Sequence, residues 1–132
     1  MEIIDKLGWL YIKDKKLLGT RSKKKDVYYI PGGKKEEGET DKEALIREIK
    51  EELSIELVPE SLEFVNKFKA QAHGKPEGVT LQMTCYLGNF KGEIKPNSEI
   101  EEVVWLIHKD KEGATPMMQL VLDWLKERDL IN

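Results

Sequence analysis

Residues 31–55 constrain this chain more than any other stretch. The stretch opens with Pro31-Gly32-Gly33, which indicates a turn because regular helices and strands do not tolerate these residues in their interior. After a polar loop, apolar side chains recur at the spacing of one buried helix face: Leu45, Ile46, Ile49 and Leu53. Thr40 and Glu43 have the separation of a capping box. The pattern predicts a turn, a loop and a helix over residues 41–53.

Three glutamates converge on one side of the predicted helix. Glu48, Glu51 and Glu52 lie at i, i+3 and i+4, where like charges cost a helix about 0.2–0.5 kcal/mol per pair. Arg47 lies four residues from both Glu43 and Glu51, so we expect it to bridge those two and to leave the other two glutamates free. Carboxylates without cationic partners suit Mg²⁺. A solvated acidic face is the alternative, and the spacing alone does not decide between them.

The fixed positions of this stretch resemble the Nudix box, the signature of the Nudix hydrolases. Gly33, Glu39, Arg47 and the run 48–52 match the pattern Gly, five residues, Glu, seven residues, Arg-Glu-aliphatic-any-Glu-Glu-any-Gly-aliphatic. One specified position departs, because Ser54 stands where the pattern has the glycine of a left-handed helix C-cap. We expect some strain or a shifted cap at Ser54, but no lost ligand.

The resemblance also implies a mechanism. Glu48, Glu51 and Glu52, together with the carbonyl of Gly33, would hold one or more Mg²⁺ or Mn²⁺ ions. The metal would polarise a phosphorus atom and lower the pKa of a bound water. Glu51 or Glu99 could take the proton of that water, and the sequence does not choose between them.

Further residues complete the implied site. Arg47, which we count with Glu51, Glu52 and Glu99 as catalytic, would orient Glu51 and Glu39. Arg21 could contact a phosphate chain or belong to a solvated loop, and Gly32 and Glu39 are expected on the substrate side. Glu102 is the second choice after Glu99 in the acidic loop that precedes Trp105.

Composition sets the outer bounds. A chain of 132 residues, with 39 % hydrophobic and 36 % charged residues, is expected to form a single domain over 1–132. Its net charge of −3 argues against a nucleic-acid partner. No apolar run is long enough for a membrane span. Cys85 is the only cysteine, so no internal disulfide can form, a buried structural thiol is expected, and the cytoplasm is the expected location.

The rest of the chain predicts an α+β order. Strands are expected over residues 7–12, 16–21, 27–30, 61–73, 79–87 and 103–107. A second helix should begin at Pro116. Its expected apolar face comprises Met117, Leu120, Val121, Trp124 and Leu125. The resemblance implies the Nudix fold, an α/β/α sandwich with a mixed central sheet.

The substrate is less constrained. The chain lacks the Ser-Gln-Pro-Trp-Pro-Phe-Pro array of NADH hydrolases. Gln71 stands where ADP-ribose hydrolases have proline and dinucleoside polyphosphate hydrolases have tyrosine. By elimination the chain resembles the small MutT-like (deoxy)nucleoside triphosphate pyrophosphatases. Another substrate, such as ADP-ribose or a nucleotide sugar, remains open, as does a non-catalytic nucleotide-binding module. A homodimer is expected only because the family often forms one.

Overall fold

The computed structural model describes residues 2–132, which contain two α-helices and nine strands. The helices are α1 (Asp41–Leu53) and α2 (Pro116–Glu127). The strands are β1 (Ile3–Trp9), β2 (Ile12–Lys13), β3 (Lys16–Ser22), β4 (Gly32–Gly33), β5 (Glu56–Leu57), β6 (Glu63–Gln71), β7 (Thr80–Leu87), β8 (Phe90–Lys91) and β9 (Ile100–Leu106). No helix within residues 2–132 is both long and apolar enough to cross a membrane.

The main sheet is mixed and has four strands in the order β4-β1-β7-β6. β1 and β7 run parallel, whereas β4 pairs antiparallel with β1 and β6 pairs antiparallel with β7. A second, antiparallel sheet has the order β2-β3-β9, and β5 pairs with β8. The predicted hairpin of β6 and β7 is confirmed.

The two helices cover opposite faces of the main sheet. Leu7 and Trp9 of β1 pack with the apolar face of α1, in a cluster that also contains Leu45, Ile49, Leu53 and Tyr86. Alternate residues of β7, Met83 and Cys85, pack with α2 in a second cluster that contains Met118, Val121, Leu122 and Leu125. The expected α/β/α sandwich with a mixed central sheet is therefore confirmed.

Helix α1 begins and ends where the sequence predicts. The Thr40 Oγ1 accepts a hydrogen bond from the Glu43 N–H at 3.1 Å, and the Glu43 carboxylate accepts one from the Thr40 N–H at 2.9 Å. Ser54 forms the C-cap with φ 65°, the left-handed conformation that favours glycine. Its hydroxyl donates to the Lys95 carbonyl at 3.1 Å, which offsets part of the backbone strain.

The turn expected at residues 31–33 contains strand β4, which pairs with β1. The strand expected over 103–107 begins at Ile100, so Glu102 of the expected acidic loop lies in β9. The strand expected over 61–73 spans Glu63–Gln71.

Three more details of the prediction are wrong. Residues 27–30 do not form a strand, and only Tyr29 makes a bridge, to Thr20. The strand expected over 7–12 begins at Ile3 and ends at Trp9, because β1 pairs with β7 along its whole length and the chain then passes to the second sheet. In α2, Leu120 is exposed, whereas Met118 and Leu122 are buried. Cys85 is buried, as expected, and burial raises its pKa to about 12.

Candidate active site

A cavity of about 440 Å³ lies beside strand β4, at Gly32 and Gly33. One part of its lining is acidic and consists of Glu48, Glu52 and Glu99. Another part is apolar and includes Ile4, Ile30, Leu81, Met83, Met117 and Met118. The volume falls within the range of small-molecule sites, roughly 300–1,000 Å³. The cavity therefore combines carboxylates with a surface suited to an apolar ring.

Glu52 is the most strongly perturbed carboxylate of this cavity. It is 6 % exposed, and its Oε1 accepts a hydrogen bond from the Gly32 N–H at 3.2 Å. Burial raises the pKa of Glu52 to about 8, and the charges of Glu48 and Glu99 add to the rise. The Gly32 N–H and the charge of Lys6 oppose it. A cation bound nearby would stabilise the ionised form of such a carboxyl group and would lower its pKa.

Glu48 packs directly against Gly33. A Cβ atom at residue 33 would overlap the Glu48 carboxylate, so any larger residue there would displace that carboxylate. Burial raises the pKa of Glu48, although the adjacent Arg47 guanidinium opposes the rise. The box glycine and the box glutamate thus form one unit of the site.

Arg47 holds the loop and the helix together. Its Nε and Nη2 donate to the two oxygens of Glu39 at 2.7 and 2.9 Å, and its Nη1 donates to Glu48 Oε1 at 2.9 Å. A weaker bond of 3.5 Å joins Nη1 to Glu51 Oε1. The hydrogen bonds from Arg47 lower the pKa of Glu39 to about 2. The arrangement fixes Glu48 relative to the loop that contains Glu39.

One of the two ion pairs that we predicted for Arg47 is wrong. Arg47 forms no hydrogen bond or ion pair with Glu43 in the described chain, and the Glu43 carboxylate accepts the capping-box bond from Thr40 instead. Nor is Glu48 free, because it accepts the bond from Arg47. The helical spacing placed these side chains correctly but did not show that the preceding loop supplies Glu39.

The structure brings together some of the predicted site residues and not others. Those that line the cavity are Gly32, Gly33, Glu48, Glu52 and Glu99. Those that do not line it are Arg21, Glu39, Arg47 and Glu51. The Arg21 side chain donates to Glu102 at 2.8 Å and to Glu101 at 3.2 Å. Glu102, the second choice for an acidic residue, is engaged by that bond and by the Tyr28 hydroxyl.

A family model described as the NUDIX domain matches residues 8–124. The chain belongs to the Nudix family. It is accordingly a pyrophosphohydrolase of a family that acts on small nucleotide substrates and generally uses divalent metals. A search among curated proteins gave no significant match.

Solved structures of Nudix and MutT proteins share the fold. The ORF135 protein of E. coli is 24 % identical, over 93 % of this chain and 88 % of that one, with a TM-score of 0.71. The MutT protein from Methanosarcina mazei Go1 is 17 % identical, over 97 % and 96 %, with a TM-score of 0.73. A structure named UDP-X diphosphatase is 17 % identical, over 98 % and 64 %, with a TM-score of 0.71. MutT proteins thus stand among the structural relatives of this Nudix chain.

The donor chemistry of the Nudix site fits a hard divalent cation. Glu48 and Glu52 supply oxygen ligands of the kind that Mg²⁺ prefers, and both have raised pKa values that a cation would lower. Gly33 lines the same cavity without a side chain to fill it. Among residues 2–132, no three acidic, histidine or cysteine side chains form a ready-made metal group. The ligand set of Glu48, Glu51, Glu52 and Gly33 therefore stays a prediction.

The cavity residues that escaped the sequence-based prediction include Lys6, Thr20, Tyr29 and His73. The rings of Tyr29 and His73 meet edge to face with their centroids 6.3 Å apart. His73 is exposed, as expected, but it lies at the cavity. For Lys6 a signal existed, because alternation along β1 places it on the face opposite Leu7 and Trp9. For the others no local signal existed, since the cavity forms only when distant segments pack.

Proposed function

We propose that this Nudix hydrolase cleaves a diphosphate linkage in a nucleoside diphosphate derivative with the help of Mg²⁺ or Mn²⁺. Nucleoside triphosphates are the proposed main substrates, which would yield a nucleoside monophosphate and pyrophosphate. The observation that carries the proposal is the single cavity in which Glu48, Glu52 and Glu99 adjoin an apolar wall. Phosphates would lie near the carboxylates with the cation between them, and the base would lie against the apolar wall.

Each acidic residue has a distinct role in this proposal. Glu48 and Glu52 would hold the cation with the Gly33 carbonyl, and the cation would neutralise the diphosphate and activate the attacking water. Glu99 is favoured as the acceptor of the water's proton because it lines the cavity. Glu51 is 54 % exposed in its side chain and contacts Arg47, which supports a role at the rim of the site. The choice of base remains part of the proposal.

The supporting residues position these carboxylates. Arg47 holds Glu48 from the helix side, and Glu39 anchors Arg47 through two bonds. The Gly32 N–H holds one oxygen of Glu52. We therefore assign Arg47, Glu39 and Gly32 to positioning rather than to direct contact with the phosphates. Arg21 is engaged by its two glutamates, which favours a structural role.

The nature of the substrate rests on the apolar wall and on the structural relatives. The apolar wall and the Tyr29 ring suit a nucleobase, which stacks on aromatic and apolar surfaces. The relatives named MutT support nucleoside triphosphates. The relative named UDP-X diphosphatase supports a nucleotide sugar as the second candidate, and ADP-ribose remains a third. The retained carboxylates of the cavity disfavour a purely binding module. The homodimer stays a prediction.

The test is turnover of a panel of nucleoside triphosphates, ADP-ribose and nucleotide sugars, with Mg²⁺, with Mn²⁺ and with EDTA. Glu52→Gln should reduce turnover by at least about 100-fold, because it removes a carboxylate from the site of charge stabilisation. Glu63→Gln, an exposed glutamate on β6, is the matched control and should leave turnover unchanged.

Three outcomes would change the proposal. Undiminished activity of Glu52→Gln would contradict the assigned site. Selective turnover of nucleotide sugars would replace the substrate class and keep the site. Tight nucleotide binding without turnover would favour the non-catalytic module.

A further inference from the structure

Lys6 lies beside a second lysine across the main sheet. The register of β1 and β4 pairs Leu7 with Gly33 and Gly8 with Gly32. Lys6 directly precedes this paired segment on β1 and Lys34 directly follows it after β4, so continuation of the same register would bring the two lysines opposite each other. Like charges directly opposite on neighbouring strands destabilise a sheet. The pKa of Lys6 lies below its usual value, chiefly because of burial and then because of Lys34. The pair therefore carries an electrostatic cost.

The charges of Glu52 and Glu48 offset part of that cost at Lys6, but no ion pair does. The ion pairs formed within residues 2–132 involve other basic residues, such as Arg47 with Glu39 and Lys111 with Asp123. Neither the Lys6 ammonium nor the Lys34 ammonium forms an ion pair in that part of the chain. Lys6 is also half-buried, so water compensates it less than it compensates an exposed lysine.

Both lysines line the cavity that contains Glu48 and Glu52. They also line a second cavity of about 340 Å³, whose other charged residues are Lys35, Lys67, Asp5 and Asp41. Lys35 forms an ion pair with Asp41. The two lysines thus stand at the border of both cavities, next to the carboxylates proposed to hold the cation. An anion placed there would contact a cation on one side and two ammonium groups on the other.

We propose that Lys6 is a substrate-binding residue whose ammonium donates hydrogen bonds to the diphosphate of the substrate. The inference rests on the proposed function, because it assumes a diphosphate in this cavity. A phosphoryl oxygen would offset the repulsion between Lys6 and Lys34, which Glu52 and Glu48 oppose without forming an ion pair with Lys6. Local charge conflicts of this kind are expected where a ligand completes the structure. The competing explanation is that Lys6 only balances the charge of Glu52 in the folded protein.

Binding of inorganic pyrophosphate tests the inference without relying on turnover. Isothermal titration calorimetry would compare the wild type with Lys6→Met, in the presence of Mg²⁺ and in EDTA. Loss of a charge-assisted hydrogen bond should weaken the affinity by about 10- to 100-fold. Lys6→Arg retains the charge and should restore the affinity to within about threefold of the wild type. Lys69→Met is the matched control, because Lys69 is exposed on β6 and lines neither cavity.

The outcomes separate this inference from the proposed function. If Lys6→Met lowers only the thermal unfolding midpoint and binds pyrophosphate like the wild type, Lys6 is a structural counter-charge and the inference is overturned, while hydrolysis can still stand. If the wild type hydrolyses nothing in the panel but Lys6→Met loses pyrophosphate binding, the proposed function fails and the anion-binding role of Lys6 stands. Absence of pyrophosphate binding by the wild type in both conditions also overturns the inference. If Lys6→Met does not fold, Lys6→Gln replaces it.

Discussion

Removing the charge of Glu52 should stabilise the protein when no divalent cation is present. Glu52 is 6 % exposed, and its pKa is raised from 4.5 to about 8, mainly by burial. At about 1.4 kcal/mol per pH unit, this difference sets a ceiling of about 5 kcal/mol on the cost of ionising Glu52 in the folded protein. Glu52→Gln removes that cost and keeps an oxygen that can accept the Gly32 N–H bond.

The direction of the pH dependence follows from proton binding. The unfolded chain releases the Glu52 proton near pH 4.5, whereas the folded protein retains it until about pH 8. Between these values the folded state binds more protons, so the free energy of unfolding of the wild type falls as the pH rises. The contribution is fully present below pH 4.5 and is lost above pH 8. At pH 7 the expected advantage of Glu52→Gln is about 1–3 kcal/mol, since relaxation around the charge reduces the ceiling.

Urea unfolding in EDTA at about pH 5, 7 and 8.5 measures this advantage. The gap between Glu52→Gln and the wild type should be small at the lowest pH and should widen as the pH rises. Glu51→Gln is the matched control on the same helix, and its half-exposed side chain should give no comparable widening. Added Mg²⁺ should stabilise the wild type and not Glu52→Gln. A gap that is constant with pH, or a less stable Glu52→Gln protein at the highest pH, would refute the reasoning.

Two further substitutions test the geometry of the Nudix box. Gly33→Ala should lower Mg²⁺-dependent turnover by about 100-fold, because the new Cβ displaces the Glu48 carboxylate. The free energy of unfolding should change by less than about 1 kcal/mol, since the displaced side chain is flexible. Turnover like that of the wild type would show that Glu48 needs no fixed position. Ser54→Ala should lower the free energy of unfolding by about 1 kcal/mol, because it loses the hydrogen bond to Lys95 and keeps the left-handed backbone. For Ser54→Gly the free energy of unfolding should stay within about 0.5 kcal/mol of the wild type, because glycine favours that backbone. Urea unfolding compares the two, and a large change in turnover for either would mean that Ser54 has a functional role.

The sequence predicted α1 well because its determinants are local. The capping box, the apolar spacing and the left-handed end at Ser54 all lie within the helix or next to it. The convergence of Glu48 and Glu52 follows from the same helical geometry. The predicted ion pair between Arg47 and Glu43 is wrong because helical spacing describes only residues within the helix. The loop before α1 instead brings the Glu39 carboxylate to 2.7 Å from the Arg47 Nε.

Long-range pairing decided what the local pattern could not. The start of β1 at Ile3 depends on β7, which lies far along the sequence. Residues 27–30 have the composition of a strand, but only Tyr29 finds a partner. The buried face of α2 includes Leu122 rather than Leu120, because periodicity allows both and packing on the main sheet selects one. The role inferred for Lys6 likewise depends on its neighbour across the sheet.

Two charged residues that line the candidate active-site cavity, Glu52 and Lys6, differ from many charged residues elsewhere in the described chain. Arg21 pairs with Glu102, and Lys111 pairs with Asp123, so opposite charges within reach do combine in this fold. In the cavity, Glu52 and Lys6 do not form an ion pair, although each alters the pKa of the other. A divalent cation would supply the missing counter-charge for Glu52, and a diphosphate would supply it for Lys6. The cation and the diphosphate would also attract each other. The cation should therefore raise the affinity for the diphosphate, and the diphosphate must raise the affinity for the cation by the same factor, because the coupling free energy between two ligands is reciprocal.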